Sequence, residues 1–203
     1  MNLLIIAILT VLANYIFKKV IEFIRVQDEN LTLKTKEKVV IIISYLIFIS
    51  LFLIKYRTSE FVFYYLTILY LVITAFIDFK TSDVYKIINI FMGINSIVYL
   101  LYLLSLNVDI TENIGGILVT TILGIIFTKL DVWAWGDSEI FIVIAPFIAT
   151  HGYIYILINF FISLVLSGIV NILRSIFTGF RLPTRQSFAP YITVSSLLVM
   201  FIR

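Results

Sequence analysis

The sequence predicts an all-α protein, a polytopic transmembrane helical bundle of about eight spans, and three observations predict it. Hydrophobic residues make up 62% of the 203 positions and charged residues only 13%, more apolar surface than a single soluble core of this size can bury. The apolar residues come in runs separated by short charged clusters, as successive membrane crossings do. The basic residues fall unevenly between alternate clusters, which is the mark of cytoplasmic loops. One integral-membrane domain is expected over residues 1–203.

Span one covers residues 3–24, with Lys18, Lys19 and Glu22 on its last turns. The start, Met1-Asn2-Leu3-Leu4-Ile5, has no basic n-region and no small-residue cleavage site, so a retained span is expected. Residues 25–38, with Asp28, Glu29, Lys34, Lys36 and Glu37, are the most hydrophilic stretch and read as a solvated loop, too short for a folded domain. Spans two and three, 39–54 and 61–77, are joined by Lys55-Tyr56-Arg57-Thr58-Ser59-Glu60. Span four, 87–106, leads through Asn107-Val108-Asp109-Ile110-Thr111-Glu112 to span five, 114–128. Span six is short, 140–149, with Pro146 near its end and a turn at His151-Gly152. Span seven covers 153–173, and a basic loop with Arg174, Arg181 and Arg185 leads to a last span at 188–202.

Counted by alternate loops, Lys18, Lys19, Arg25, Lys34, Lys36, Lys38, Lys80, Lys86, Lys129, Arg174, Arg181 and Arg185 lie on one side, and only Lys55, Arg57 and Arg203 on the other. The richer side is expected to be cytoplasmic, with both chain ends outside. The net charge of +3 is thereby read as loop asymmetry, not as a nucleic-acid surface. The chain has no cysteine, which excludes disulfides, cysteine-held zinc and thiol nucleophiles, and its single histidine, His151, falls on the outer side. No metal and no cofactor are expected; the lipid bilayer is the evident surrounding.

Two polar knots interrupt the apolar runs. One is Ile77-Asp78-Phe79-Lys80-Thr81-Ser82-Asp83, the other Trp133-Ala134-Trp135-Gly136-Asp137-Ser138-Glu139. A carboxylate at a span end adjoining hydrocarbon is costly, which makes it a candidate functional group. Asp78 ends span three and Asp137 begins span six, so two crossings separate them and both are placed at the cytoplasmic face. Two carboxyl groups a few ångströms apart cannot both ionise and keep one shared proton, the arrangement that activates a water and polarises an amide carbonyl. Gly136 fits a backbone that turns tightly or is closely approached.

Plainer roles exist for each residue. Asp78 can pair with Lys80 at the interface, and Asp137 can cap span six with Glu139 in its first turn. Asp83 and Asp131 read as solvated, His151 as a turn residue, and Trp133 and Trp135 as interfacial aromatics. Asn89, Asn95, Asn159, Ser163 and Ser167 read as interhelical hydrogen-bond partners. A proton- or ion-coupled transporter using the two aspartates as a relay is a second functional reading, although such carboxylates are found near mid-span, often in repeated halves. A catalytically silent scaffold is a third.

Three separated pieces resemble the type IV prepilin peptidases, intramembrane aspartic peptidases that include the archaeal preflagellin peptidases. Ala75-Phe76-Ile77-Asp78-Phe79-Lys80-Thr81 is similar to the family's first aspartate motif, Ala134-Trp135-Gly136-Asp137 to its Gly-x-Gly-Asp motif, and Phe188-Ala189-Pro190-Tyr191 to its Phe-Gly-Pro-Phe segment. The resemblance implies Asp78 and Asp137 as the catalytic pair, with Ala134, Gly136, Glu139 and Pro190 as active-site support. It also implies a prokaryotic cytoplasmic membrane with the site facing the cytoplasm. The implied partners are prepilin or pilin-like precursors cut behind a short basic leader. Ala134 and Ala189 stand where the family has glycine, Glu139 where it has lysine, and Val84-Tyr85-Lys86 where it has Ile-Pro-Asn. Many bacterial members also methylate the new N-terminus through a zinc domain with two Cys-x-x-Cys pairs; without cysteine, an endopeptidase lacking that second activity is implied.

Overall fold

The computed structural model describes residues 11, 15–24, 39, 42, 43, 46, 60–177 and 187–202. Among these, residues 15–24 are helical, and six further α-helices follow: α1 (Phe61–Thr81), α2 (Lys86–Ser105), α3 (Thr111–Lys129), α4 (Trp135–Ile148), α5 (Ile154–Phe177) and α6 (Ala189–Ile202), with a single 3-10 turn, Ala149–His151, after α4. The described residues contain no strand.

Four of these helices, α1, α2, α3 and α5, are long and apolar enough to cross a membrane. The expectation of eight spans is corrected by helix length. Spans six and eight are the 14-residue helices α4 and α6, and at 1.5 Å per residue each measures about 21 Å, against about 30 Å of hydrocarbon. An apolar run does not reveal whether its helix is long enough. The expected first span overlaps the helical residues 15–24, but most of it, most of the second, all of the loop 25–38, and Arg181 and Arg185 lie outside the described residues.

The helix ends follow from local chemistry. α1 stops at Ser82 in a left-handed conformation (φ 55°), its N–H donating to Asp78 O at 2.7 Å. α2 and α3 are each followed by another left-handed residue, Asn107 (φ 56°) and Asp131 (φ 54°), short polar residues that tolerate this region. Before α3, Asp109 accepts from the Thr111 hydroxyl at 2.6 Å and the Thr111 N–H at 2.9 Å, and these donors hold its carboxyl below the usual carboxylate range.

The interior helices are α1, with two-thirds of its apolar window buried, and α4, where Ile140, Phe141, Ile144, Ala145, Phe147 and Ile148 are buried to 1% exposure or less. α4 packs against α2, α3, α5 and α6, and α1 against α2 and α6. Large apolar residues such as Phe91, Ile94, Leu118, Ile122 and Phe161 stand exposed on α2, α3 and α5, the faces suited to lipid. Both helices that carry the candidate aspartates are therefore walled in by others.

Packing inside uses small residues and polar pairs, since burial alone does not drive helices together in lipid. A Cβ added at Gly116 on α3 would overlap the Ala149 Cβ, and one at Gly124 would lie 3.0 Å from the Ser138 Cβ. Asn113 Nδ2 donates to Pro146 O at 2.7 Å, tying α3 to α4. Asn159 on α5 donates to Ser196 Oγ and accepts from Ser195 Oγ on α6. Gly116→Ala is expected to destabilise the fold by about 1–3 kcal/mol, the cost of overpacking, read as a lower melting temperature in detergent; adding Ala149→Gly should restore most of it.

Candidate active site

Asp78 lies one turn before the end of α1, and its neighbours there are main-chain groups. Its side chain is buried, and Oδ2 accepts from the N–H of Ala189 at 2.8 Å. The Phe188 N–H also acts on it. Asp78 thus holds the first turn of α6, where free N–H groups and the helix dipole favour an anion. The plainer role expected for Asp78, an interfacial partner of Lys80, does not account for this burial or this donor.

Asp137 is the third residue of α4. It is buried, and its Oδ2 accepts from the Ala134 N–H at 3.2 Å. Its backbone N–H donates to Ala134 O at 3.1 Å. Asp137 therefore stands inside the first turn, with Ala134 as the N-cap residue (φ −76°, ψ 156°). Any residue adopts those angles, so an alanine at this position imposes no strain. Asp78 and Asp137 interact electrostatically with each other. They come from different helices, 59 positions apart in the chain: Asp78 from the last turn of α1, with its carboxylate on the first N–H of α6, and Asp137 from the first turn of α4. Asp83 also acts electrostatically on Asp78, but it is exposed, as is Asp131.

Close approach accounts for Gly136. A Cβ there would lie 2.9 Å from the Val84 Cβ, so the α1–α2 connection passes directly against the α4 start. Gly136→Ala is expected to cost about 1–3 kcal/mol in a thermal melt. Val84→Ala should recover little of it, because the Val84 Cβ itself makes the contact.

Trp133 and Trp135 part company, and the expectation of two interfacial aromatics is corrected for the first. Trp133 is 7% exposed, with ring centroids 4.6 Å from Phe127, 5.3 Å from Phe160 and 5.4 Å from both Phe141 and Phe188. Its Nε1 donates at 2.8 Å to Ser138 Oγ, which in turn donates to Gly124 O. Phe188 directly precedes Ala189, the donor to Asp78, so this aromatic contact docks the two aspartate-bearing regions on one another. The five-residue spacing from Trp133 to Ser138 was the one sequence signal available for it. Trp135, 46% exposed, donates from Nε1 to Glu139 Oε1 at 2.9 Å.

The other expected support residues separate in the same way. Glu139 faces α2, where Asn89 Nδ2 donates to its Oε2 at 2.8 Å. Pro190 follows Ala189 and lines a cleft of about 450 Å³ with Phe79, Val170, Leu173, Arg174, Ser187 and Tyr191. That cleft lies beside Asp78, since Phe79 and Pro190 adjoin the two ends of the Asp78–Ala189 hydrogen bond. His151 is exposed at the other end of α4. Among the described residues no three His, Cys, Asp or Glu side chains are grouped to hold a metal ion.

Compared with known protein families, with curated proteins and with solved structures, the chain has no match.

Proposed function

We propose that the chain is an intramembrane aspartic endopeptidase that removes the short basic leader of prepilin or pilin-like precursors at the cytoplasmic face of a prokaryotic membrane. The observation that supports it is the meeting of Asp78 and Asp137, two buried carboxylates from distant parts of the chain, within each other's electrostatic field at one end of the bundle. In this reading one carboxylate takes a proton from a water held between the pair. The other, protonated, donates to the scissile carbonyl, and the water oxygen adds to its carbon. The amide C–N bond then breaks as the leaving nitrogen receives a proton. Asp78 takes the base role, because its 2.8 Å bond from the Ala189 N–H supplies its anion better than the 3.2 Å bond supplies Asp137. The cleft beside Asp78, with apolar walls and a proline-led helix start, receives the substrate segment.

The cytoplasmic orientation rests on the Lys and Arg asymmetry between loops. The lack of any cysteine supports peptidase activity without methyl transfer. A transmembrane proton relay is less well supported: among the described residues, Asp78 and Asp137 are the only buried acidic groups and share one end. The test is co-expression of a tagged prepilin with wild type, Asp78→Asn and Asp137→Asn, scored by the mobility shift of leader removal. Cleavage by wild type alone supports the reading; normal cleavage by either variant, or none by wild type, overturns it.

A further inference from the structure

Glu139 lies two residues beyond Asp137, which turns it about 200° around the helix and away from the carboxylate pair. There it meets a chain of hydrogen bonds joining three helices. The Tyr70 hydroxyl on α1 donates to Asn89 Oδ1 on α2 at 2.8 Å, and Asn89 Nδ2 donates to Glu139 Oε2 on α4 at 2.8 Å. Trp135 Nε1 fills the other Glu139 oxygen at 2.9 Å. Tyr70 and Asn89 are buried, so an unmatched donor or acceptor in this chain would be costly. Tyr70 also lies eight residues, two turns, before Asp78 on the same helix.

We infer that Tyr70, Asn89 and Glu139 form a strut that fixes the rotation of α4 relative to α1, and so holds Asp137 facing Asp78; they are positioning residues of the proposed peptidase, and this inference rests on that reading. One side of the α4 start is held by the Trp133–Phe188 contact, and the strut holds the opposite side. The polarity of the set is self-consistent. Asn89 turns its oxygen to a hydroxyl donor and its amide to an acceptor-only oxygen, and Glu139 receives two N–H donors. A lysine, which the resembled family places at this position, has donors only and could accept from neither Asn89 nor Trp135. The charge reversal at Glu139 is matched by its neighbours and needs no contact with substrate.

The set can be inverted without losing a bond. In Asn89→Asp/Glu139→Gln, the new carboxylate accepts from Tyr70 and from the glutamine amide, while the glutamine oxygen accepts from Trp135. Asn89→Asp alone brings two carboxylates face to face. In the prepilin assay Asn89→Asp is expected to lower kcat at least about tenfold with little change in KM, as a misplaced reacting group does. Its activity should recover as pH falls, because the facing carboxylates can then share a proton. The double variant should return to within about threefold of wild type, on the usual scale of a preserved interaction, with the wild-type pH profile.

A second measurement is independent of cleavage. The chain lacks cysteine, so nitroxides at Phe79→Cys on α1 and at Val132→Cys, three residues before the α4 start, both exposed, report one distance between α1 and the segment that leads into α4. That distance should shift or broaden in Asn89→Asp and revert in the double variant. Should Asn89→Asp fail to fold, Tyr70→Phe, which removes one hydroxyl, should give the same direction of change. Wild-type activity or an unaltered distance in Asn89→Asp, or a double variant as impaired as the single, overturns the strut. A wild type that cleaves nothing removes the peptidase reading, while the distances still decide the strut.

Discussion

Asp137→Asn is expected to slow leader removal by about 10²–10⁴-fold, the usual contribution of a positioned acid–base group, with the melting temperature nearly unchanged. The argument lies in what asparagine keeps. Its side-chain oxygen can still accept from the Ala134 N–H, now at 3.2 Å from Asp137, and losing the negative charge from the first turn costs only about 0.3–1 kcal/mol. If Asp137 served only the first turn of α4, the variant would cleave normally. What asparagine cannot do is exchange a proton with a bound water. The same logic applies to Asp78→Asn, whose amide oxygen can still meet the Ala189 N–H. Rates in detergent at fixed substrate, beside a thermal melt of each variant, check both halves.

Trp133→Ala is expected to cost about 3–5 kcal/mol, as truncation of a large buried aromatic does. The ring touches four phenylalanines contributed by α3, α4, α5 and the start of α6, so its loss opens a void where four segments meet. It also strands Ser138 without its indole donor. Trp135→Ala, at an exposed position, should stay within about 1 kcal/mol, the loss of one hydrogen bond. Chemical or thermal unfolding of the two variants side by side checks the contrast. Equal effects would contradict the burial described above.

The long helices were readable because charged clusters bracket them: expected spans of 61–77, 87–106, 114–128 and 153–173 became helices within about four residues at each end. The misses have specific causes. α4 and α6 carry as high a density of apolar residues as the long helices, so composition alone counted them as crossings. Trp133 and Trp135 stand two apart and look alike in a list, yet the chain between α3 and α4 turns one inward and the other outward. Asn89 and Asn159 were recognisable as interhelical donors, because a buried amide needs partners, but Tyr70, Glu139, Ser195 and Ser196 were not identifiable as those partners. The Asp78–Ala189 bond was outside the reach of spacing or period. Only the Phe-Ala-Pro-Tyr resemblance drew attention to that segment, and nothing in it announced a main-chain donor.

α4 and α6 both begin beside the carboxylates, and both are 14 residues long. A helix of about 21 Å whose far end reaches one boundary of a 30 Å apolar slab starts about 9 Å beneath the other. The acids then lie at the floor of a depression rather than on the rim. In the proposed peptidase, a scissile peptide would reach that depth only as an unravelled strand, since a helical segment hides the carbonyl that has to be attacked.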